Sequence, residues 1–119
     1  MTDIRKDIYQ ESRPWGNFRR FTLNSPSTVK IIEVLPGQSL SLQTHTARGE
    51  FWRILSGTGT VEIDEKPIRA KKGDEFFIET GMKHRAFTET DTLEILEIAV
   101  GEFDENDITR FEDKYGRTK

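Results

Sequence analysis

Hydrophobic and polar residues alternate with a period of two in short segments along most of the chain. Residues 28–35 are rich in β-branched side chains, and in residues 39–44 Leu40 and Leu42 share one face. A period of two is typical of β-strands, in which successive side chains point to opposite faces. Turn residues separate these segments roughly every 8–12 positions. The pattern predicts strands at residues 17–23, 28–35, 39–44, 50–55, 60–63, 68–70, 75–78, 84–88 and 93–100.

One segment near the end of the sequence departs from this alternation. In residues 107–115 Ile108 and Phe111 are one helical turn apart, Asn106 or Asp107 could cap the first turn, and Gly116 follows the last. These signals predict a short C-terminal helix. The fold class is therefore all-β with one short helix, although alternation alone does not choose among a jelly roll, an immunoglobulin-like sandwich and other barrels. We expect a polar, extended N-terminal segment at residues 1–12 and a single domain at residues 13–119.

Composition excludes several classes of function. The 119 residues include no cysteine, which rules out disulfides and thiolate chemistry. The net charge is −3 and no basic block occurs, so we expect neither nucleic acid nor an anionic membrane as a partner. The polar N-terminus lacks an apolar signal core, and no apolar run approaches the ~20 residues of a membrane helix. These features favour a cytoplasmic protein.

The two histidines of the chain lie in two segments that contain glycine. Gln43 and His45 are two residues apart on a predicted strand, so they point to the same side, and a short loop separates them from Glu50. His84 begins another strand. We predict that Gln43, His45, Glu50 and His84 hold one divalent ion. Such nitrogen and oxygen ligands suit Zn, Mn, Fe, Co or Ni. The alternative is that each histidine is an ordinary polar residue at the mouth of a barrel.

The spacing of these residues resembles the two sequence motifs of the cupin superfamily. The first motif has a glycine at each end and contains two histidines and a glutamate, with Gln43 here in place of the first histidine. The second motif contains glycines and one histidine. The matching positions are Gly37, Gln43, His45, Glu50 and Gly57, followed by Gly73, Gly81 and His84. The resemblance implies a cupin jelly-roll barrel with the metal ion inside it.

A more specific resemblance covers residues 13–117. The sequences RPWG at 13–16, LSLQ at 40–43 before His45, and YGR at 115–117 after Asp113 resemble the type II mannose-6-phosphate isomerase domain. That domain usually forms the C-terminal half of a bifunctional enzyme with a mannose-1-phosphate guanylyltransferase. The resemblance implies a metal-dependent isomerase that interconverts mannose 6-phosphate and fructose 6-phosphate. The chain departs from the family at Thr46 and Ala47, where histidines are common, and at Phe51 and Ile31.

An aldose–ketose isomerase moves a proton between C1 and C2 through a cis-enediol, so the implied function needs a base and a phosphate anchor. Glu97 is the candidate base, and its alternative is a solvated strand residue. Arg117 is the second catalytic candidate, as a cation that holds the phosphate. We assign substrate binding to Lys30, Arg48, Trp52 and Arg85.

Two other functions are compatible with the same residues. The chain could be a non-catalytic sugar-binding or regulatory cupin, or a cupin metalloenzyme of another class such as a dioxygenase or an epimerase. In each case the expected partner is a small molecule, with a sugar phosphate favoured. A homodimer is possible through the edge strands, with the N-terminal segment exchanged between copies.

Overall fold

The computed structural model describes residues 4–117, in which eleven β-strands and no helix occur. In this part of the chain there is accordingly no helix of the length and apolarity needed to span a membrane. The strands are β1 (Tyr9–Arg13), β2 (Gly16–Arg20), β3 (Ser27–Val34), β4 (Leu42–Thr44), β5 (Arg48–Ser56), β6 (Thr58–Ile63), β7 (Lys66–Lys71), β8 (Glu75–Ile78), β9 (His84–Phe87), β10 (Leu93–Gly101) and β11 (Thr109–Glu112).

Two antiparallel sheets face each other. One sheet has the order β3-β10-β5-β8 and the other has the order β11-β4-β9-β6-β7. Their inner faces share one hydrophobic cluster, to which Trp52, Ile54 and Ile95 contribute from the first sheet and Val61 and Ala86 from the second. This arrangement confirms the predicted all-β cupin jelly roll. One end of the space between the sheets is apolar core, and the other end holds the polar residues described below.

The strand β10 is apolar on both of its faces. Ile95 points into the shared core, whereas Ile98 and Val100 point outward and pack with Ile4 and Phe51 in a second cluster. The N-terminal residues thus cover the outer face of the four-stranded sheet. Ile4 fits there because residue 49 is glycine: a Cβ at Gly49 would lie 2.3 Å from the Ile4 Cγ2.

The predicted C-terminal helix is wrong. Residues 109–112 form β11, which pairs with β4 through Thr109 opposite Thr44 and Arg110 opposite Gln43. The helical spacing of Ile108 and Phe111 was a local signal, whereas the open edge of β4 offers backbone hydrogen bonds to an extended segment. Such tertiary pairing overrides weak helix propensity. Asp107 caps no helix and instead accepts hydrogen bonds from the loop that follows His45.

The predicted N-terminal segment is only partly unpaired. Its last residues belong to β1, which pairs with β2 in a hairpin, so the boundary expected between residues 12 and 13 falls inside a strand. Residues 1–3 of that segment lie outside the described residues. Residues 13–16 form the turn of this hairpin.

The edge strand β3 bears on the predicted homodimer. Val29 and Ile31 on this strand are 61% and 63% exposed, and Leu35 just after it is also exposed. An apolar edge of this kind can be covered by a strand of another chain. The homodimer stays a prediction.

The hairpin is tied to the four-stranded sheet by a charged group. Arg19 of β2 and Arg53 of β5 both donate to Glu75, at 2.6 and 2.5 Å. Burial raises the pKa of the Glu75 carboxyl, but these two hydrogen bonds and charges outweigh it and hold the pKa below its usual range. Glu75 therefore stabilises the fold above the pKa of an unfolded glutamate, and this contribution is lost as the pH falls through the lower folded pKa.

We expect the Glu75→Gln variant to lose about 1 kcal/mol in free energy of unfolding at pH 7, since partly exposed ion pairs contribute modestly. The difference from wild type is expected to shrink as the pH falls below the pKa of an ordinary glutamate. Urea unfolding at several pH values measures this. A difference that stays constant into acid would contradict the assignment.

Candidate metal centre and its cavity

A cavity of ≈ 250 Å³ opens between the two sheets at their polar end. Its walls carry almost all of the residues that the sequence predicted to be functional, together with several that it did not. They are Lys30, Ile32, Leu40, Ser41, Gln43, His45, Arg48, Glu50, Trp52, Glu97, Glu105, Ile108, Arg110 and Arg117.

Three side chains lie together beside this cavity, and we call them the histidine–glutamate cluster: His45, Glu50 and His84. His45 and Glu50 line the cavity, whereas His84 does not and reaches it only through its contact with Glu50. All three are buried, and their ligand atoms lie within 4.8 Å of one another. The His45 Nε2 is 3.3 Å from the Glu50 Oε2, and the His84 Nε2 is 3.4 Å from the Glu50 Oε1. Two imidazole nitrogens thus face one carboxylate, as the sequence predicted.

Hydrogen bonds on the far side of each ring set this orientation. The Nδ1 of His45 lies 2.7 Å from the backbone oxygen of Asp107, and the Nδ1 of His84 lies 2.9 Å from that of Met82. Each Nδ1 therefore carries the proton and donates, which leaves each Nε2 with its lone pair toward Glu50. This backing of a ligand histidine is the usual arrangement around a bound metal.

A further observation indicates that the cluster suits a divalent ion. The buried Nε2 of His84 has no hydrogen-bond partner within residues 4–117. Buried polar atoms are normally satisfied, so an unpaired imidazole nitrogen facing a carboxylate suits a metal ligand. Zn, Mn, Fe, Co and Ni all accept this donor set, which does not choose among them.

Gln43 belongs to the same wall as the cluster. On β4 it lies directly opposite His84 of β9, and its side chain lines the cavity. Directly opposed residues in an antiparallel pair project to the same face. Gln43 is therefore placed to offer its amide oxygen as the fourth predicted ligand.

Glu50 and Glu97 are buried carboxyl groups close enough to affect each other's ionisation. Burial, together with the charge of Glu50 and the hydrogen bond to it, raises the pKa of Glu97 to about 8. Burial also raises the pKa of Glu50, but the neighbouring imidazoles of His84 and His45 outweigh this effect, so that this pKa is lowered. Glu97 thus holds the shared proton while Glu50 stays ionised. This places the predicted base in the cavity rather than in solvent.

Arg48 and Trp52 both contact the Glu50 carboxylate. The Nε1 of Trp52 donates to the Glu50 Oε1 at 3.0 Å, and the Nε of Arg48 donates to the Oε2 at 3.2 Å. The Nη2 of Arg48 also lies 3.3 Å from the His45 Nε2. A metal ion would compete with this guanidinium for the same two acceptors. Arg48 thus lines the cavity and contacts two members of the histidine–glutamate cluster.

The remaining cations of the cavity stand near its mouth. Lys30 lies 3.7 Å from Glu105, and the Nε of Arg117 donates to the Asp113 Oδ2 at 2.9 Å. Arg110 was missed by the sequence reasoning because its segment was interpreted as a helix. Ile108 and Arg110 are two residues apart and both line the cavity. This spacing fits a strand, and it is the signal from which the position of Arg110 could have been predicted.

The structure does not bring Arg85 to this cavity. Its guanidinium pairs with Glu62 at 3.1 Å and with Glu112 at 2.8 Å. Arg85 instead lines a separate depression of ≈ 470 Å³ that also includes Lys114 and contains no member of the cluster. Because Arg85 follows His84 directly on β9, the strand period puts the two side chains on opposite faces.

The loop after His45 is held in place by Asp107. This support is expected to contribute to metal binding. The Asp107 carboxylate accepts hydrogen bonds from the Thr46 backbone and hydroxyl and from the Ala47 backbone, at 2.6 to 2.8 Å. We expect Asp107→Ala to weaken metal affinity about 10-fold, because supporting residues around a ligand typically matter by this amount.

Competition against a chelating dye measures this affinity. Asp91→Ala is the matched control, since Asp91 accepts a similar hydrogen bond from Thr58 away from the cluster. An Asp107→Ala protein with wild-type metal affinity would show that the loop does not position His45.

Comparison with known proteins agrees with the sequence resemblance. The family described as mannose-6-phosphate isomerase C-terminal matches residues 2–113. The alginate biosynthesis protein AlgA of Pseudomonas putida is 41% identical over 108 residues, which cover 89% of this chain and 22% of AlgA. The mannose-1-phosphate guanylyltransferase ManC of Salmonella typhimurium is 32% identical over 116 residues, 96% of this chain and 24% of ManC. The chain therefore spans less than a quarter of the length of these relatives.

Solved structures agree on the fold. A putative sugar phosphate isomerase from Acidithiobacillus ferrooxidans has a TM-score of 0.59 at 23% identity, over 64% of this chain and 51% of that one. A protein from Thermotoga maritima described as a predicted oxalate decarboxylase has a TM-score of 0.60 at 23% identity, over 86% of this chain and 99% of that one. These two neighbours differ in described activity, so the shared barrel supports the fold alone.

Proposed function

Since the chain belongs to the mannose-6-phosphate isomerase C-terminal family, we propose that it is a metal-dependent aldose–ketose isomerase that interconverts mannose 6-phosphate and fructose 6-phosphate. The observation that carries this proposal is the position of Glu97 in the same cavity as the histidine–glutamate cluster. An ion site and a carboxyl group that is free to move a proton are the two elements that such a reaction needs.

The cluster supplies the first of these elements. When bound, a divalent ion contributes Lewis-acid polarisation of the carbonyl and hydroxyl oxygens of an open-chain sugar phosphate. His45, Glu50 and His84 would hold the ion, with Gln43 beside them. The hydrogen bond from Trp52 keeps the Glu50 carboxylate in place, and the Trp52 and His84 rings pack nearly at right angles, with their centroids 5.6 Å apart.

Glu97 supplies the second element. It lies on β10 opposite Trp52 of β5 and opposite Lys30 of β3, so its carboxyl group faces the lumen between two other cavity residues. With a pKa raised to about 8, Glu97 is ionised in a minor fraction of molecules at neutral pH, and it is this carboxylate form that can take a proton from C2 of the bound sugar and return it to C1. The hydroxyl proton on the C2 oxygen passes to the C1 oxygen in the same conversion. The buried setting excludes bulk water from that proton transfer.

A coupled assay tests the proposed function. Purified protein is stripped of metal, reloaded with Mn²⁺ or Zn²⁺, and supplied with mannose 6-phosphate, while fructose 6-phosphate formation is followed. We expect turnover that requires the ion. Saturable binding of mannose 6-phosphate without turnover would instead favour a sugar-binding module, and absence of both would overturn the proposal.

A further inference from the structure

Arg110 is a charged residue of the cavity that the protein itself leaves unsatisfied. Its Nε is buried and has no hydrogen-bond partner among the described residues. The cavity's other cations are engaged, as Arg48 contacts Glu50, Lys30 lies near Glu105 and Arg117 bonds to Asp113. A buried donor without a partner is destabilising, so its presence in a cavity wall points to a ligand that satisfies it.

Strand register fixes the place of Arg110 relative to the metal ligands. Arg110 of β11 lies opposite Gln43 of β4, and Gln43 lies opposite His84 of β9. The three residues therefore form one row across three adjacent strands. Neighbouring strands are about 4.8 Å apart, so the backbone of Arg110 is roughly 10 Å from that of His84. An open-chain hexose phosphate has a comparable length between its carbonyl end and its phosphate.

We propose that Arg110 binds the phosphate group of the substrate, with the sugar carbonyl directed along this row toward the histidine–glutamate cluster. This inference rests on the proposed function for the identity of the ligand. A guanidinium group presents paired N–H donors that match two phosphate oxygens, and it stays charged at every relevant pH. Arg110 thereby becomes a specificity residue that distinguishes a sugar phosphate from the free sugar.

Calorimetric titration of the metal-loaded protein with mannose 6-phosphate, and separately with mannose, tests this assignment. We expect Arg110→Gln to weaken binding of mannose 6-phosphate roughly 10- to 100-fold, the loss typical of a hydrogen-bonded charge. The affinity of Arg110→Lys for mannose 6-phosphate is expected to lie between those of the wild type and Arg110→Gln, because lysine keeps the charge but lacks the planar pair of donors. Metal affinity, measured on the same samples, is expected to equal that of the wild type, which separates phosphate binding from a structural role.

Arg69→Gln is the matched control, since Arg69 is an exposed arginine on β7 that donates to Thr58. It is expected to bind mannose 6-phosphate as the wild type does. The assignment is overturned if Arg110→Gln retains wild-type affinity for mannose 6-phosphate, if it loses metal affinity in parallel, or if the wild type does not bind mannose 6-phosphate at all.

Turnover separates this inference from the proposed function. Binding that depends on Arg110 in a protein without isomerase activity would support the phosphate site and refute the isomerase. Isomerase activity with an unchanged KM in Arg110→Gln would support the isomerase and refute the phosphate site. In an active enzyme the expected change is a raised KM with kcat largely retained, because the phosphate is remote from the reacting carbons.

Discussion

Replacing Glu50 with glutamine is expected to abolish isomerase activity and to weaken metal binding by at least about 100-fold. Glu50 is the one anionic member of the histidine–glutamate cluster, and both of its oxygens face an imidazole nitrogen. The neutral amide of glutamine keeps the shape of the side chain and can still accept the hydrogen bond from Trp52, but it offers the ion no negative charge. Metal affinity by competition with a chelator, and the coupled assay, measure the two effects.

A second variant separates loss of the ligand from loss of the fold. Glu50→Gln leaves the Arg48 guanidinium buried without its counter-charge, which itself costs stability. His84→Asn removes a ligand without creating an unpaired charge and is expected to lose metal affinity to a similar degree. Glu62→Gln breaks a comparable glutamate–arginine pair outside the cavity, with Arg85, and serves as the control that keeps its metal affinity. If either ligand variant bound metal as the wild type does, the cluster would not be the metal site.

The Glu97→Gln variant is expected to keep metal affinity and to lose roughly 10²- to 10⁴-fold in kcat, the usual range for a general base. The amide has the same size and still lines the cavity, but it cannot accept and return a proton. KM for mannose 6-phosphate is expected to change little, because Glu97 acts on the reacting carbons rather than on the phosphate.

Glu94→Gln is the control for this experiment. Glu94 lies three residues earlier on β10 and on the opposite, outer face, where it contacts Ser56. Steady-state kinetics on the two variants, with metal content measured in the same preparations, give the comparison. A Glu97→Gln enzyme with near wild-type kcat would place the base elsewhere.

The sequence predicted the grouping of the histidine–glutamate cluster better than the residues around it. Gln43, His45 and Glu50 are close in the chain, so strand alternation and one short loop were enough to place them together. Glu97 was harder to assign, because β10 is apolar on both faces. Its outer residues Ile98 and Val100 are covered by the N-terminal segment, and no local signal tells which face is the lumen.

The two remaining errors have different causes, one distant in sequence and one local. Residues 109–112 satisfy a helical spacing locally, and only the open edge of β4 makes them a strand that carries Arg110 into the cavity. The assignment of Arg85 to the substrate was avoidable, since its neighbour His84 had already been assigned to the lumen. A strand cannot direct two consecutive side chains to one face.

Titration of metal-stripped protein with Mn²⁺, with bound ion and isomerase rate followed in the same samples, tests the central claim most directly. We predict that both quantities rise together and saturate at one ion per chain. A protein that takes up neither Mn²⁺ nor Zn²⁺, or one whose rate does not depend on the bound ion, would contradict a metal-dependent isomerase built on His45, Glu50 and His84.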